Sequence, residues 1–218
     1  MISWPGTKHL NKTVYLYTHM IIKVNDIDLR ILALFTKGYD KEYYIREVEK
    51  LLKISSRTAL VTLAKLEKVG ILKSIMKGKI KLYSIRKTIL SREFFLLAEQ
   101  YKKIRFLERN HLVKEILEKV DGFMEGIVVV FGSYAKGLQK EDSDLDLFII
   151  GKYNGKKIKN SGKKYGIDIN IKTYPLTLFE KEIYDDILLK EITENHILIK
   201  DVEGFVGRVV KWIKLNGA

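Results

Sequence analysis

The stretch IVVVFGSYAKGLQKEDSDLDLFII, residues 127–150, restricts the possible folds more than any other part of this 218-residue chain. Residues 127–131 form an unbroken apolar run rich in β-branched side chains, which reads as a strand buried on both faces. Gly132-Ser133 ends it in a sharp turn, a short helix closes near Gly137, and a polar loop leads into a second strand at 145–150. Asp144 and Asp146 stand two apart on that strand, so both carboxylates project from one face. Anions this close repel each other unless a cation lies between them, and hard oxygen ligands select Mg²⁺ or Mn²⁺. Gly132 leaves room for a phosphate beside the backbone and Ser133 can hydrogen-bond it. The N–H groups opening the next helix point at the same place. A calcium loop through Asp142, Asp144 and Asp146 is excluded, because its sixth position is Leu147 instead of glycine and its twelfth is Tyr153 instead of Glu. A solvated acidic turn would leave the apolar run after Asp144 unexplained.

A further acid, a candidate for the same site, follows on a strand-like stretch. Residues 167–171, Ile-Asp-Ile-Asn-Ile, alternate and put Asp168 and Asn170 on one face. Asp168 is the candidate, since an acid amid β-branched residues is costly without a partner. Asn170 is read as an outer neighbour or as solvated. Between the two strands lies GKYNGKKIKNSGKKYG, whose six lysines and four glycines predict a hairpin or mobile loop and not a long helix. After Pro175 helical spacing returns, 197–200 reads as a strand, and the end as a final helix.

Charge divides the chain. Residues 1–109 hold 23 basic and 10 acidic side chains, whereas residues 110–218 hold 17 of each, so the whole net charge of +13 belongs to the first half. Between Lys50 and Arg92 there are 12 basic residues and one acid, Glu67. Such a stripe attracts polyanions through counterion release, although a solvated lysine-rich surface has the same composition. There is no Cys, hence no disulfide, thiolate zinc site or cysteine nucleophile. No apolar run approaches a membrane span, and the first residues lack the charged lead and apolar core of a signal peptide. The expectation is a cytoplasmic protein with no membrane partner. The four His residues show no metal-ligand spacing and read as surface or packing residues.

The basic half shows three amphipathic stretches. The first, residues 26–37, faces inward through Ile27, Ile31, Leu34 and Phe35, and Gly38 ends it. The second runs through Tyr44, Ile45, Val48, Leu51 and Leu52. A serine at 55 or 56 caps the third, which faces inward through Ala59, Leu60, Leu63, Leu66 and Val69. Two short strands then flank Lys77-Gly78-Lys79. Three helices and a basic-tipped hairpin resemble the winged helix-turn-helix fold over residues 26–87. That resemblance implies contact with double-stranded DNA by Ser56, Arg57, Thr58, Thr62 and Lys65 on the third helix and by Lys77 and Lys79 on the wing. The same fold also serves as a protein–protein or dimerisation module, and a homodimer is a further expectation. Residues 14–24 look strand-like within a peripheral extension, 1–25, and residues 88–120 read as a helical connection.

The 121–218 region resembles the nucleotidyltransferase superfamily that includes DNA polymerase β, and within it the minimal bacterial and archaeal members. The likeness rests on Gly132-Ser133, ten residues, then Asp144-Leu145-Asp146, with the SYAKG and SDLDL flanks. Taken with the winged-helix resemblance, it implies an α+β chain in which a winged helix precedes a small mixed sheet. It also implies Mg²⁺-dependent transfer of NMP from an NTP, ATP first, to a hydroxyl on a protein, a nucleic acid or a small molecule. On that resemblance Asp144, Asp146 and Asp168 hold metal and carry catalysis, with Asp168 also helping to deprotonate the acceptor. Gly132, Ser133 and Lys136 grip the nucleotide, and Lys140 is a weaker candidate. The alternative is a winged-helix regulator whose nucleotidyltransferase fold only senses a nucleotide or is inactive.

Overall fold

The structure, a computed structural model, describes residues 23–183 and 185–215, so the strand-like stretch expected at 14–24 lies almost wholly outside the described residues. Helices α1 (Asp26–Phe35), α2 (Ile45–Leu52) and α3 (Ser56–Lys68) lead into a hairpin of β1 (Leu72–Lys77) and β2 (Ile80–Ile85). Asn25 closes a capping box with Asp28 at the start of α1, and Ser55 caps α3 by accepting from the Thr58 N–H. A 21-residue helix, α4 (Ile89–Arg109), follows, and Asn110 breaks it from α5 (His111–Val120).

The second half is β3 (Ile127–Phe131), α6 (Gly132–Lys136), β4 (Leu145–Ile150), α7 (Gly155–Lys164), β5 (Ile169–Thr173), α8 (Leu176–Glu182), α9 (Ile187–Glu194), β6 (Ile197–Lys200) and α10 (Val202–Leu215). The sheet order is β5-β4-β3-β6, with β4 parallel to β5 and β3 antiparallel to both its neighbours. The fold is α+β. Among the described residues no helix is long and apolar enough to cross a membrane.

Both faces of the sheet are covered, as the unbroken apolar strands require. Leu145, Leu147 and Ile149 pack with Val113, Ile116 and Val120 of α5 and Ile158 of α7. The opposite face, through Phe148, Ile150, Val129 and Phe131, packs with Phe179 of α8, Ile192 of α9 and Phe205 of α10. That second core continues through Phe95 and Ala98 of α4 into Ile31, Phe35, Leu63 and Leu66 of the first helices. The two halves therefore share one hydrophobic core.

Two expectations fail for packing reasons. Residues 155–164 are a helix, capped by Asn154, where lysine and glycine content predicts a hairpin or loop. Ile158 and Gly162, four apart, are its buried residues, and a Cβ at Gly162 would press on the Ile167 carbonyl and the Ile169 side chain. Glycine is what lets this helix lie against β5, and that tertiary contact outweighs its low propensity. On α3 the inward stripe is rotated. Leu60 is 47% exposed, whereas Thr62 is buried and Lys65 pairs at 2.6 Å with the buried carboxylate of Asp28.

Candidate active site

Strand β4 carries the acids because its alternation is fixed by burial on both sides. With Leu145 and Leu147 turned to the α5 face, Asp144 and Asp146 turn to the other, beyond Phe148. Phe131, the last residue of β3, pairs with Asp146, so the turn after β3 falls directly over that carboxylate. The turn begins at Gly132, with φ +68, and a Cβ there would collide with the Asp146 carboxylate. Glycine is required here twice, by the left-handed backbone and by the close approach. Ser133 follows in α6, and its carbonyl accepts the Leu138 N–H that closes the short helix.

The residue that reaches the acids from β5 is Asn170. Its amide donates to Asp144 Oδ2 at 2.9 Å and lies 3.5 Å from Asp146 Oδ1. Asn170 is the register partner of Asp146, and Asp168 lies two residues earlier on the same face. The Asp168 carbonyl accepts the Leu145 N–H, while its side chain is exposed. Among the described residues no three His, Cys, Asp or Glu side chains stand close enough to share a metal ion. The structure thus brings Asp144, Asp146, Gly132 and Asn170 together and leaves Asp168 at the margin.

Burial raises the Asp146 carboxyl above the usual range; the Asn170 amide opposes this, while the charges of Asp144 and Glu191 push further up and Lys172 pulls down. Glu191, on α9, is a neighbour that no sequence pattern marks. It accepts from Lys136 at 2.6 Å, so the lysine expected to meet phosphate is tethered beside the site by an acid.

A separate buried polar cluster joins α4 to His196, the residue before β6. His196 has its Nδ1 2.9 Å from the Ile192 carbonyl, an acceptor only, so Nδ1 carries the proton. Its Nε2 lies 2.9 Å from Glu99 Oε1 and 3.1 Å from Lys102 Nζ, and Tyr39 Oη donates to the same Glu99 oxygen at 2.7 Å. Burial would raise the Glu99 carboxyl, but His196 and Lys102 hold it well below the usual range. Burial and then Glu99 push the Tyr39 phenol well up. His196 was expected on the surface or in ordinary packing; it is a buried hydrogen-bonded partner.

In the first half, Ser56 and Arg57 are exposed, Thr58 is half-buried, and Lys77 and Lys79 sit at the hairpin tip. Lys77 pairs with Glu42 at 2.8 Å. Thr62 and Lys65 are withdrawn from the outer face, which instead shows Leu60, Val61 and Ala64 between Arg57 and Lys68.

Comparison with known proteins matches residues 98–205 to the nucleotidyltransferase domain family. None of the curated proteins compared matches the chain. Among solved structures, reduced HlyU from Vibrio cholerae N16961 is similar at 22% identity and a TM-score of 0.31, over 41% of this chain and 87% of that one. TrmBL2, an archaeal chromatin protein with a novel mode of DNA binding, is similar at 16% identity and a TM-score of 0.27, over 93% and 97%. Likeness this slight adds nothing to the geometry above. The nucleotidyltransferase match spans α4 through α10 in part, and includes every residue of the carboxylate site.

Proposed function

We propose that the chain transfers a nucleoside monophosphate from an NTP to an acceptor hydroxyl at Asp144 and Asp146. The observation that carries this reading is the seat of Asp146. A glycine that only a bare backbone can occupy lies against it, and Asn170 bridges it to Asp144. A pair of hard oxygen donors held by one amide suits Mg²⁺ or Mn²⁺, and Asp144 and Asp146 would hold the ion. When bound, such an ion neutralises phosphate charge and lowers the pKa of an oxygen nucleophile.

The residues of this chain then have separate tasks. Gly132 and Ser133 receive the triphosphate, where no Cβ obstructs it. Lys136 balances phosphate charge once it exchanges Glu191 for the ligand. Asp168, beside Asp144 on the next strand, takes the acceptor hydroxyl proton. The acceptor oxygen bonds to the α-phosphorus, the bond from that phosphorus to the bridging oxygen of the β-phosphate breaks, and pyrophosphate leaves. The first three helices and the hairpin act as a winged helix on duplex DNA, through Ser56, Arg57, Thr58 and the wing lysines 77 and 79.

The test is turnover of α-labelled NTPs with Mg²⁺ by the full chain. Asp144→Ala and Asp146→Ala should reduce transfer to background while the fold persists, and Asp168→Ala should reduce it severely. Equal turnover by the wild type and both strand variants would refute the assignment.

A further inference from the structure

Between the first helices and the nucleotidyltransferase sheet lies a cleft of about 730 Å³. One wall is the exposed side of α1 and the end of α2, the second is the C-terminal half of α4, and the third is α6 with the loop after it. Its cations are Arg30, Lys37, Lys102, Arg105, Arg109 and Lys136. The acids facing it are Asp26 and Glu194, and each is engaged: Asp26 accepts from Tyr101 Oη at 2.7 Å, and Glu194 pairs with Lys41 at 3.2 Å. Among the described residues Lys37 and Arg109 have no ion pair, and Arg105 has a long one of 3.5 Å to Glu108. Burial lowers the Lys102 ammonium pKa, and the charge of Lys37 lowers it further against the pull of Glu99. Lys102 and Lys136 are paired with Glu99 at 2.9 Å and Glu191 at 2.6 Å, which leaves Arg30, Lys37, Arg105 and Arg109 as the cleft's cations without a short ion pair among the described residues.

We infer that this cleft holds the phosphates of a single nucleic-acid strand, whose end is the acceptor of the transfer; this rests on the transferase reading above. Three features select that occupant. Arg105 and Arg109 are exposed one turn apart on α4, about 6 Å along its axis, a spacing that suits two phosphates of one strand, while Lys102 behind them is held by Glu99 at 2.9 Å. Guanidinium forks match phosphate oxygens pairwise, and the half-buried Tyr101 ring lies among them as a platform for a base. The volume is that of a small-ligand cleft, large enough for a strand and too small for a duplex. The cleft comes nearest the carboxylate site at Lys136, which lines it and pairs with Glu191, whose charge acts on Asp146; the carboxylates themselves lie outside its lining.

The experiment is fluorescence anisotropy of the full chain with labelled oligothymidylate and oligouridylate, without NTP. The variants are Arg105→Glu/Arg109→Glu and the milder Arg105→Gln/Arg109→Gln, with Lys156→Glu/Lys159→Glu on exposed α7 as a charge-matched control. The inference expects the Arg105/Arg109 variants to lose affinity by about tenfold or more and to flatten the salt dependence by about two counterions. The control should bind nearly as the wild type does, and MgATP affinity should be unchanged in all three. Equal loss in the control, or no loss in either arginine variant, overturns the cleft assignment. Polyglutamate competing as well as the oligonucleotide would assign the cleft to an acidic protein, and a parallel loss of MgATP binding would assign it to the nucleotide; both overturn it. If oligonucleotide binding behaves as expected but the Asp144 and Asp146 variants turn over NTP like the wild type, the transferase reading fails and the cleft stands.

Discussion

Strand β4 and helix α3 both set polar side chains at regular spacing beside an apolar stripe, but they obey that spacing differently. On β4 the period of two admits only two directions, and burial of Leu145, Leu147 and Ile149 on one face leaves Asp146 no choice. On α3 the helix offers a graded circumference, and residues at the edge of the stripe go where their neighbours draw them. Buried Asp28 of α1 draws Lys65 inward, and Thr62 goes with it. A strand next to a two-sided core can be read residue by residue, whereas the flank of a helix depends on which charge packs opposite. The same contrast applies to charge as a whole. The basic half neutralises many of its lysines locally, as in Lys65–Asp28, Lys77–Glu42 and Lys81–Glu67. The balanced half leaves two carboxylates sharing one amide.

The largest effect that would sharpen this contrast is expected from Gly132→Ala. The added methyl collides with Asp146 and forces the φ of +68 on a residue that resists it. Displacement of the carboxylate should lower transfer by about a hundredfold or more. Activity near wild type would mean that Asp146 is not held against the turn.

Glu99→Gln comes next, as the buried pair that ties α4 to His196, the residue before β6. Removing one charge from a buried ionic cluster costs about 3–5 kcal/mol, to be read by denaturant unfolding at neutral pH. Because the folded Glu99 carboxyl titrates well below its unfolded value, its contribution is complete above about pH 4.3 and is lost as pH falls toward the folded pKa. The gap between wild type and variant should therefore hold from neutral pH into mild acid and close only below it. A gap that closes near neutrality would contradict the ionised state.

Asn170→Ala should act mainly through pH. Its amide is what lowers the Asp146 pKa against burial, so its loss raises that pKa further. The acid limb of the transfer rate should move to higher pH, with a loss of about tenfold or less near neutrality. An unchanged profile would separate Asn170 from the reacting groups. The smallest effect is expected at the hairpin tip. Glu42→Gln frees the exposed Lys77 and should change stability by less than about 1 kcal/mol. It should also tighten binding to duplex DNA with a steeper salt dependence. Unaltered duplex affinity would remove the wing from the interface.

Much of the fold was legible because its signals were local: caps at Asn25 and Ser55, the Gly132 turn, and alternation on β4. Gly132 and Asp146, 14 residues apart in sequence, meet because β3 and β4 pair as neighbours. Helix α7 was illegible because burial of Ile158 and the close approach of Gly162 to Ile167 and Ile169 outweigh a sequence of lysines and glycines. Glu191 was illegible because α9 reaches the site from 45 residues beyond Asp146 in sequence, with no pattern linking the two. Asn170 was visible as a position on the right face but not as the donor to both acids. The cleft required the packing of α1, α4 and α6 together, which no local signal encodes.

The central claim is that Asp144 and Asp146 form a cation-dependent nucleotide site. Calorimetric titration of Mn²⁺ into the full chain in the presence of an NTP tests it most directly. The account predicts binding in the wild type that disappears in both Asp144→Ala and Asp146→Ala and survives Arg105→Glu/Arg109→Glu. Undiminished Mn²⁺ binding in the two aspartate variants would contradict it.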